Sequence, residues 1–449
     1  MAATVAEETT EFPQPRVSPR RRRAFSPVAD VARPSVPGWE WTLAVVCLFV
    51  LGRTSVLFYR ERVADLIGAG RAGPIWNNDP VIRVVFAVTL LAVYVLAARR
   101  CNPRNLFRLP FLVAFLSFAF ASVTWSVEPT TSLWRALLFL GTALFGWYLG
   151  ERYTLRELIG IVGAFGAIAA VESTIAIFVW PDTAQATKQV MGRWSGVFVN
   201  RNLLALVMAT GLLAIPFLWS IAPRRGRILL IAVGGAEIFL LLRSGSVSPW
   251  VGLAGSAVAA LALLGVRIAT TRHLKPVGGA FGVFVVAGYV ALVVQWNWRT
   301  ILAWLGRRPD LTGRTGMWFL DNYFAWMQPI KGWGFEAVWS HPPTIAVALE
   351  AFGSFPYSSH SGYYEILLST GFIGLGLFAG FLVSAGWRAF RYAWRSRDIA
   401  SLWPFVFIVF AVVMNFSESL FVSSEAIWAL TVAAAVASNR RRGRPRTVS

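Results

Sequence analysis

The sequence predicts an all-α polytopic membrane protein, and three observations carry that prediction. Of 449 residues, 56% are hydrophobic and only 14% charged, where soluble domains carry roughly 25% charged residues. The apolar residues gather into about twelve runs, most of them near the ~20 residues a helix needs to cross hydrocarbon. The net charge of +20 is laid between those runs, which is how membrane proteins carry cations. A nucleic-acid-binding protein would instead cluster them on one folded face. Mean hydropathy, at +0.58, agrees.

In chain order the runs are 41–58, 80–98, 109–125, 132–150, 157–180, 203–221, 228–243, 249–266, 278–296, 361–385, 401–415 and 425–438. The first is expected to be retained and not cleaved, because forty residues precede it and no small-residue cleavage site follows. Residues 1–38, rich in Pro, Arg, Ser and Thr, and residues 439–449 read as disordered tails around a transmembrane domain spanning 39–438. Tails and alternate loops hold 27 Lys and Arg residues and the remaining loops eleven. Cations stay on the cytoplasmic side, so both termini are expected there, in keeping with an even number of spans. The tail arginines read as anchors on anionic headgroups. Cys47 and Cys101 are too few for a disulfide scaffold or a cysteine metal site. No internal repeat stands out, which weighs against inverted-repeat transporters.

One connection is long, 297–360, and it is expected to face outward and to contain short helices. It holds His341, His360 and the segment Leu311-Thr312-Gly313-Arg314-Thr315-Gly316, followed by the apolar and aromatic stretch Met317 to Met327 and a Pro329/Gly332/Gly334 break. Thr315 is expected to cap a short interfacial helix. A helix N-terminus beside Arg314 suits a phosphate, since free N–H groups and a guanidinium converge there; the plain alternative is a snorkelling arginine. His360 stands at the mouth of run 361–385, and an ordinary imidazole, with a pKa near 6.5, suits proton removal from a hydroxyl. A polar boundary anchor is the alternative. His341 reads as loop without a nameable partner, and His273 lies on the cytoplasmic side.

The outer loops contain no Asp-x-Asp pair and no close His/Asp/Glu cluster, so neither a metal nor another cofactor is expected. Arginines remain: Arg193 and Arg201 in loop 181–202, Arg243 at an outer helix end, and Arg314. Four guanidiniums on one side suit a diphosphate, bound bidentately, or serve as interface anchors. Glu172 and Glu237 fall inside apolar runs, where an ionisable group points either to a proton relay or to a buried partner such as Arg53. Gly371, Gly374, Gly376 and Gly380 read as close helix packing.

In order, these motifs resemble the O-antigen ligase/polymerase superfamily of membrane glycosyltransferases, the exopolysaccharide polymerases most of all. Ser122-Val123-Thr124-Trp125-Ser126 with Pro129 resembles its Ser-x-x-Trp-Ser-x-x-Pro. Gly196 to Asn202 is similar to its Gly-x-Phe-x-x-basic-Asn segment. Leu311 to Thr315 with Trp318, then Pro329, Gly332-Trp333-Gly334-Phe335 and Trp339, resembles the long-loop signature. His360-Ser361-Gly362-Tyr363 stands where the family has His-Asn-Gly-Tyr, followed by the similar Gly371-Phe372-Ile373-Gly374. Asn415-Phe416-Ser417-Glu418-Ser419 resembles the Asn-x-x-Glu-Ser before the last span. Two departures stand out: Ser361 replaces Asn, and Val247, within Ser244-Gly245-Ser246-Val247-Ser248, replaces a basic residue for which Arg243 is the nearest substitute.

The resemblance implies transfer of a glycan from a polyprenyl-diphosphate-linked donor to an acceptor hydroxyl outside a bacterial cytoplasmic membrane, with inversion and without metal. Arg314, with Arg201 or Arg243 and with Arg193 nearby, would hold the diphosphate; His360 would activate the acceptor; Asn202, Trp318 and Glu418 would support them. The implied partners are that donor, a glycan or other cell-envelope acceptor, and the bilayer, and not nucleic acid. Polymerase and ligase stay open, and the rival of a different class is a lipid-linked sugar flippase or secondary transporter.

Overall fold

The computed structural model describes residues 36–52, 80–184, 193–198, 200–269, 276–297, 300, 314–352, 358–396, 398–422 and 426–439. Arg53, His273, Leu311 to Gly313 and nearly all of both tails lie outside them. The described residues build a helical membrane protein with no extended strand. Its main helices are α1 (Gly38–Leu51), α2 (Pro80–Arg100), α3 (Pro110–Ala121), α4 (Pro129–Arg152), α5 (Leu155–Val179), α6 (Arg201–Leu212), α7 (Ile215–Trp219), α8 (Arg224–Ser244), α9 (Ser248–Ala269), α10 (Pro276–Trp296), α11 (Arg314–Met327), α12 (Pro342–Phe352), α13 (Gly362–Arg395), α14 (Trp403–Met414) and α15 (Ala426–Ser438). Each of the twelve apolar runs contains a helix. Among the described residues, five helices are long and apolar enough to cross a membrane: α4, α5, α6 continued through α7, α9 and α13.

Two elements differ from the sequence reading. Run 203–221 is two helices, because Pro216 has no N–H to continue the ladder and stands in the first turn of α7 instead. Run 361–385 is broken at Gly371, whose backbone (φ 63°) is not helical and lies against the Ile330 carbonyl, so this glycine marks a kink and not the expected helix packing; beyond it the element extends ten residues further, to Arg395. Hydropathy falls there as arginines enter, yet Ala385, Ala389, Phe390 and Ala393 keep a buried stripe and Arg388 Nη1 donates to the Arg108 carbonyl at 2.7 Å. The helix outlasts the apolar run because one face of it still packs.

Helix α15 is the centre of the bundle. Every residue of it is buried, as expected of a helix apolar on all sides. It lies directly on α4: a Cβ at Gly146 would collide with the Ala429 carbonyl, so only glycine lets the two backbones approach this closely. Phe139 of α4 stacks on Trp428 at 4.8 Å between ring centres. Around this pair α3 packs on α13, α2 on α4, α8 on α6 and α9 on α14. Glu237 of α8 is fully buried against the backbones of Gly166 and Gly211, and neither carboxylate oxygen has a hydrogen-bond partner among the described residues. Glu172 is exposed on the flank of α5.

One end of the bundle holds the described residues 314–352 and 358–361 between α10 and α13. The Ser122–Pro129 motif fastens them. Phe335 N–H donates to Ser122 Oγ (3.0 Å), Ser132 Oγ to the Phe335 carbonyl (2.9 Å), Val127 N–H to the Trp333 carbonyl (3.0 Å) and Trp125 Nε1 to the Lys331 carbonyl (3.1 Å). Serines and a tryptophan recur there because each satisfies a loop backbone group that no helix would.

Candidate functional site

The same end of the bundle brings together residues far apart in sequence. Helix α13 begins at Gly362 with Ser361 before it. Its first free N–H groups are met by the chain after α14: Gly362 N–H donates to the carbonyls of Asn415 (2.9 Å) and Glu418 (3.2 Å). Asn415 Oδ1 in turn accepts from Phe421 N–H at 3.2 Å, and Tyr363 OH donates to the Val412 carbonyl at 2.9 Å. The His-Ser-Gly-Tyr and Asn-x-x-Glu-Ser segments thus interlock through backbone groups.

Arg314 opens α11, and its Nη2 donates to Glu418 Oε1 at 2.8 Å. Thr315 therefore lies in the first turn of that helix and not ahead of it, a correction to the expected cap. The helix turns Leu320, Asp321, Phe324 and Ala325 inward and leaves Phe319, Tyr323 and Trp326 exposed, an amphipathic pattern suited to a membrane–water boundary. Burial pushes the Glu418 carboxyl up from the usual carboxylate range, and Arg314 and Arg201 pull it back. Arg314 and Arg201 therefore act on one carboxylate.

His360 is exposed and holds a left-handed backbone, φ 49°. Such a conformation costs a non-glycine residue about 1–3 kcal/mol and persists only where neighbours impose it. Here they act through Ser359. Its N–H donates to Glu365 Oε1 at 2.6 Å, its Oγ meets Asp321 Oδ1 at 3.1 Å, and its carbonyl accepts from Trp318 Nε1 at 3.1 Å. Surrounding protein and then the Arg314 guanidinium push the imidazole down to about 4, so it is neutral near pH 7. The ordinary pKa near 6.5 expected from sequence is corrected: a cation stands beside this ring. Asp321 is buried, and burial, then the nearby Glu365 carboxyl, raise it to about 8 against the hydrogen bond from Ser359.

The remaining arginines divide. Arg201 Nη1 reaches the carbonyls of Ser244 (3.3 Å) and left-handed Gly245 (3.0 Å), and the Arg193 guanidinium lies against the same glycine. Both compensate the C-terminal dipole of α8, and Arg201 also acts on the Glu418 carboxylate. Arg243 does not join them. Its guanidinium lies 4.5 Å from the centre of the Trp194 ring, a cation–π contact on an exposed face. Nothing in this arrangement has Arg243 substituting for the basic residue missing at Val247. Asn202 is half-buried in the first turn of α6, whose cap is Asn200: its Oδ1 accepts from Leu203 N–H at 2.9 Å.

Sequence reasoning passed over Asp321 and Ser359. Asp321 carries a legible signal, since it falls on the buried stripe of α11 between Leu320 and Phe324. Ser359 carries none. His341 is not isolated: its Nδ1 lies 3.5 Å from Glu128 Oε1, without a hydrogen bond between them among the described residues. Close by, Arg135 of α4 pairs with Glu336, a residue in the left-handed region at φ 52°.

No family model matches this chain. It is 28% identical over 285 residues to the exopolysaccharide production protein ExoQ of Rhizobium meliloti (strain 1021). The match covers 61% of this chain and 64% of that protein, so just under two thirds of the relative is spanned. That similarity supports the resemblance carried by the motifs: this membrane protein is similar to a protein of exopolysaccharide production.

Proposed function

We propose that this protein transfers a glycan from a polyprenyl-diphosphate-linked donor to an acceptor hydroxyl on the outer side of a bacterial cytoplasmic membrane, as a polymerase of a surface polysaccharide. The observation that carries the reading is the convergence of Arg314, Arg201, Glu418 and His360, from four separate parts of the chain, at one end of a membrane bundle. The similarity to an exopolysaccharide production protein supplies the substrate class.

The acceptor oxygen attacks the anomeric carbon on the face opposite the diphosphate, and the bond from that carbon to the phosphate oxygen breaks, giving inversion. His360, neutral at pH 7, takes the hydroxyl proton. Arg314 and Arg201 stabilise the charge that develops on the departing polyprenyl diphosphate, work otherwise done by a metal. The bound diphosphate also offsets the Arg314 charge that holds His360 down, so donor binding raises the proton affinity of the base. The twelve helices are read as spans with both termini cytoplasmic and 297–360 outside.

The transporter alternative draws on one feature, the unpartnered Glu237 within the bundle; it leaves the arginine–histidine cluster without a role. Deleting the protein from its source and sizing the surface polysaccharide tests the assignment. Single repeat units on the lipid carrier are the expected result. Full-length polymer accumulating on that carrier would mean a ligase, and unchanged polysaccharide would overturn glycan transfer. A reporter inserted within 340–350 that reads as cytoplasmic would overturn the orientation.

A further inference from the structure

The Glu418 carboxylate sits where the proposed mechanism needs an anion. Its Oε1 takes the Arg314 guanidinium at 2.8 Å, and Arg201 adds its field to the same carboxylate. Both side chains of the pair keep some exposure, 18% for Arg314 and 15% for Glu418. The backbone of Glu418 is fixed independently of its carboxylate, through Gly362 N–H on its carbonyl (3.2 Å) and its own N–H on the Met414 carbonyl (3.0 Å). The side chain can therefore leave Arg314 by rotation alone. Arg314 and Arg201 both act on this carboxylate, and without an anion between them their charges would be uncompensated.

We infer that Glu418 is an exchangeable counterion: it fills the Arg314 fork while the site is empty and gives that fork up to the diphosphate of the donor. This rests on the proposed function and adds an exchange step to it. An incoming anion must outcompete a carboxylate already in place, which lowers the apparent affinity of every anion that uses the Arg314 fork by the same factor. A diphosphate, with more charge and two phosphoryl groups to reach Arg314 and Arg201, overcomes it more readily than a monophosphate.

The test is equilibrium binding of farnesyl diphosphate and farnesyl monophosphate to the full-length protein in lipid nanodiscs. Wild type is compared with Glu418→Gln, Glu418→Asp and Arg314→Ala. Removing the competing charge in Glu418→Gln is expected to tighten diphosphate and monophosphate binding alike, about tenfold each, with the preference between them unchanged. Glu418→Asp, too short to reach Arg314, moves both affinities in the same direction and serves if the glutamine variant does not fold. Unchanged or weaker diphosphate binding by a folded Glu418 variant would overturn the exchange and make Glu418 a fixed partner. In that case, loss of binding in Arg314→Ala would leave the proposed function standing. Normal binding by Arg314→Ala would remove both.

Discussion

Two buried Arg–Glu clusters stand at opposite ends of this bundle, and only one has the makings of a site. At the far end of α4, Glu40 is fully enclosed: Arg152 Nε reaches it at 2.8 Å, Tyr148 OH at 3.4 Å and Arg100 at 3.5 Å, while Tyr153 OH donates to its carbonyl at 2.8 Å. At the near end, Glu418 and Arg314 keep partial exposure, Arg201 adds a second positive charge, and a strained histidine stands alongside. Arg135 and Arg152 mark the two ends on α4, roughly 25 Å apart at 1.5 Å per residue. Tyrosine rings line Glu40, whereas Glu418 meets the first residues of α11 and α13. Ion pairing by itself therefore does not mark function, and neither does a second cation, since Arg100 joins Arg152 at Glu40; access and a held base do.

The largest effect expected is on turnover at the open end. His360→Ala should lower transfer by roughly 10²–10⁴-fold, the span of a positioned base, with donor binding intact because the arginines remain. In the wild type, kcat/KM should keep its base form below the ordinary imidazole range, and not fail near 6–7, because the Arg314 charge disfavours the protonated ring. A normal rate in the alanine variant would move the base to Glu336, Glu365 or Glu418.

At the closed end the effect should fall on stability instead. Arg152→Ala leaves Glu40 buried beside a lost partner, and breaking such a pair costs about 3–5 kcal/mol. A large drop in thermal midpoint is expected, with the affinity of surviving protein for donor unchanged. A selective loss of donor binding would erase the contrast between the two ends.

Arg314→Lys comes next. An ammonium does not reproduce a bidentate guanidinium contact, so transfer should fall by about 2–4 kcal/mol of barrier, roughly 30- to 1,000-fold. The thermal midpoint should move little, in contrast to Arg152→Ala. EDTA should leave the wild-type rate unchanged, because arginines neutralise the leaving group; loss of activity restored by a divalent cation would reassign that task.

A further effect, read only as a pH dependence, concerns the scaffold beneath His360. The Asp321 carboxyl is raised to about 8 in the folded protein, above its unfolded value near 3.8. The folded state therefore binds the extra proton, and this contribution to stability is full below about pH 4 and is lost as pH rises through about 8. Asp321→Asn, neutral throughout, should flatten that part of the stability profile measured by thermal unfolding. An unchanged slope would mean that Asp321 is ionised in the fold.

Hydropathy made the bundle legible and could not pair its residues. A buried helix such as α15 announces itself, since each position obeys one rule. Arg314 and Glu418 are 104 positions apart, and no local pattern says that they meet; only the ordered motif set placed both at one end. Arg243 shows the opposite failure. Helical spacing put it at the right end of α8, but Trp194, remote in sequence, turns it to an outer face. The lowered pKa of His360 was illegible for the same reason, because it depends on enclosure by the fold and then on a cation from another element.

The central claim is tested most directly by one reaction: purified protein in nanodiscs, a polyprenyl-diphosphate-linked oligosaccharide as donor and acceptor, and a single-turnover assay of wild type against His360→Ala. The wild type is expected to release polyprenyl diphosphate in step with a glycan lengthened by one unit and inverted at the new linkage, and the variant to bind donor but release almost none. Equal release by both proteins, or lengthening with retained configuration, would contradict the account.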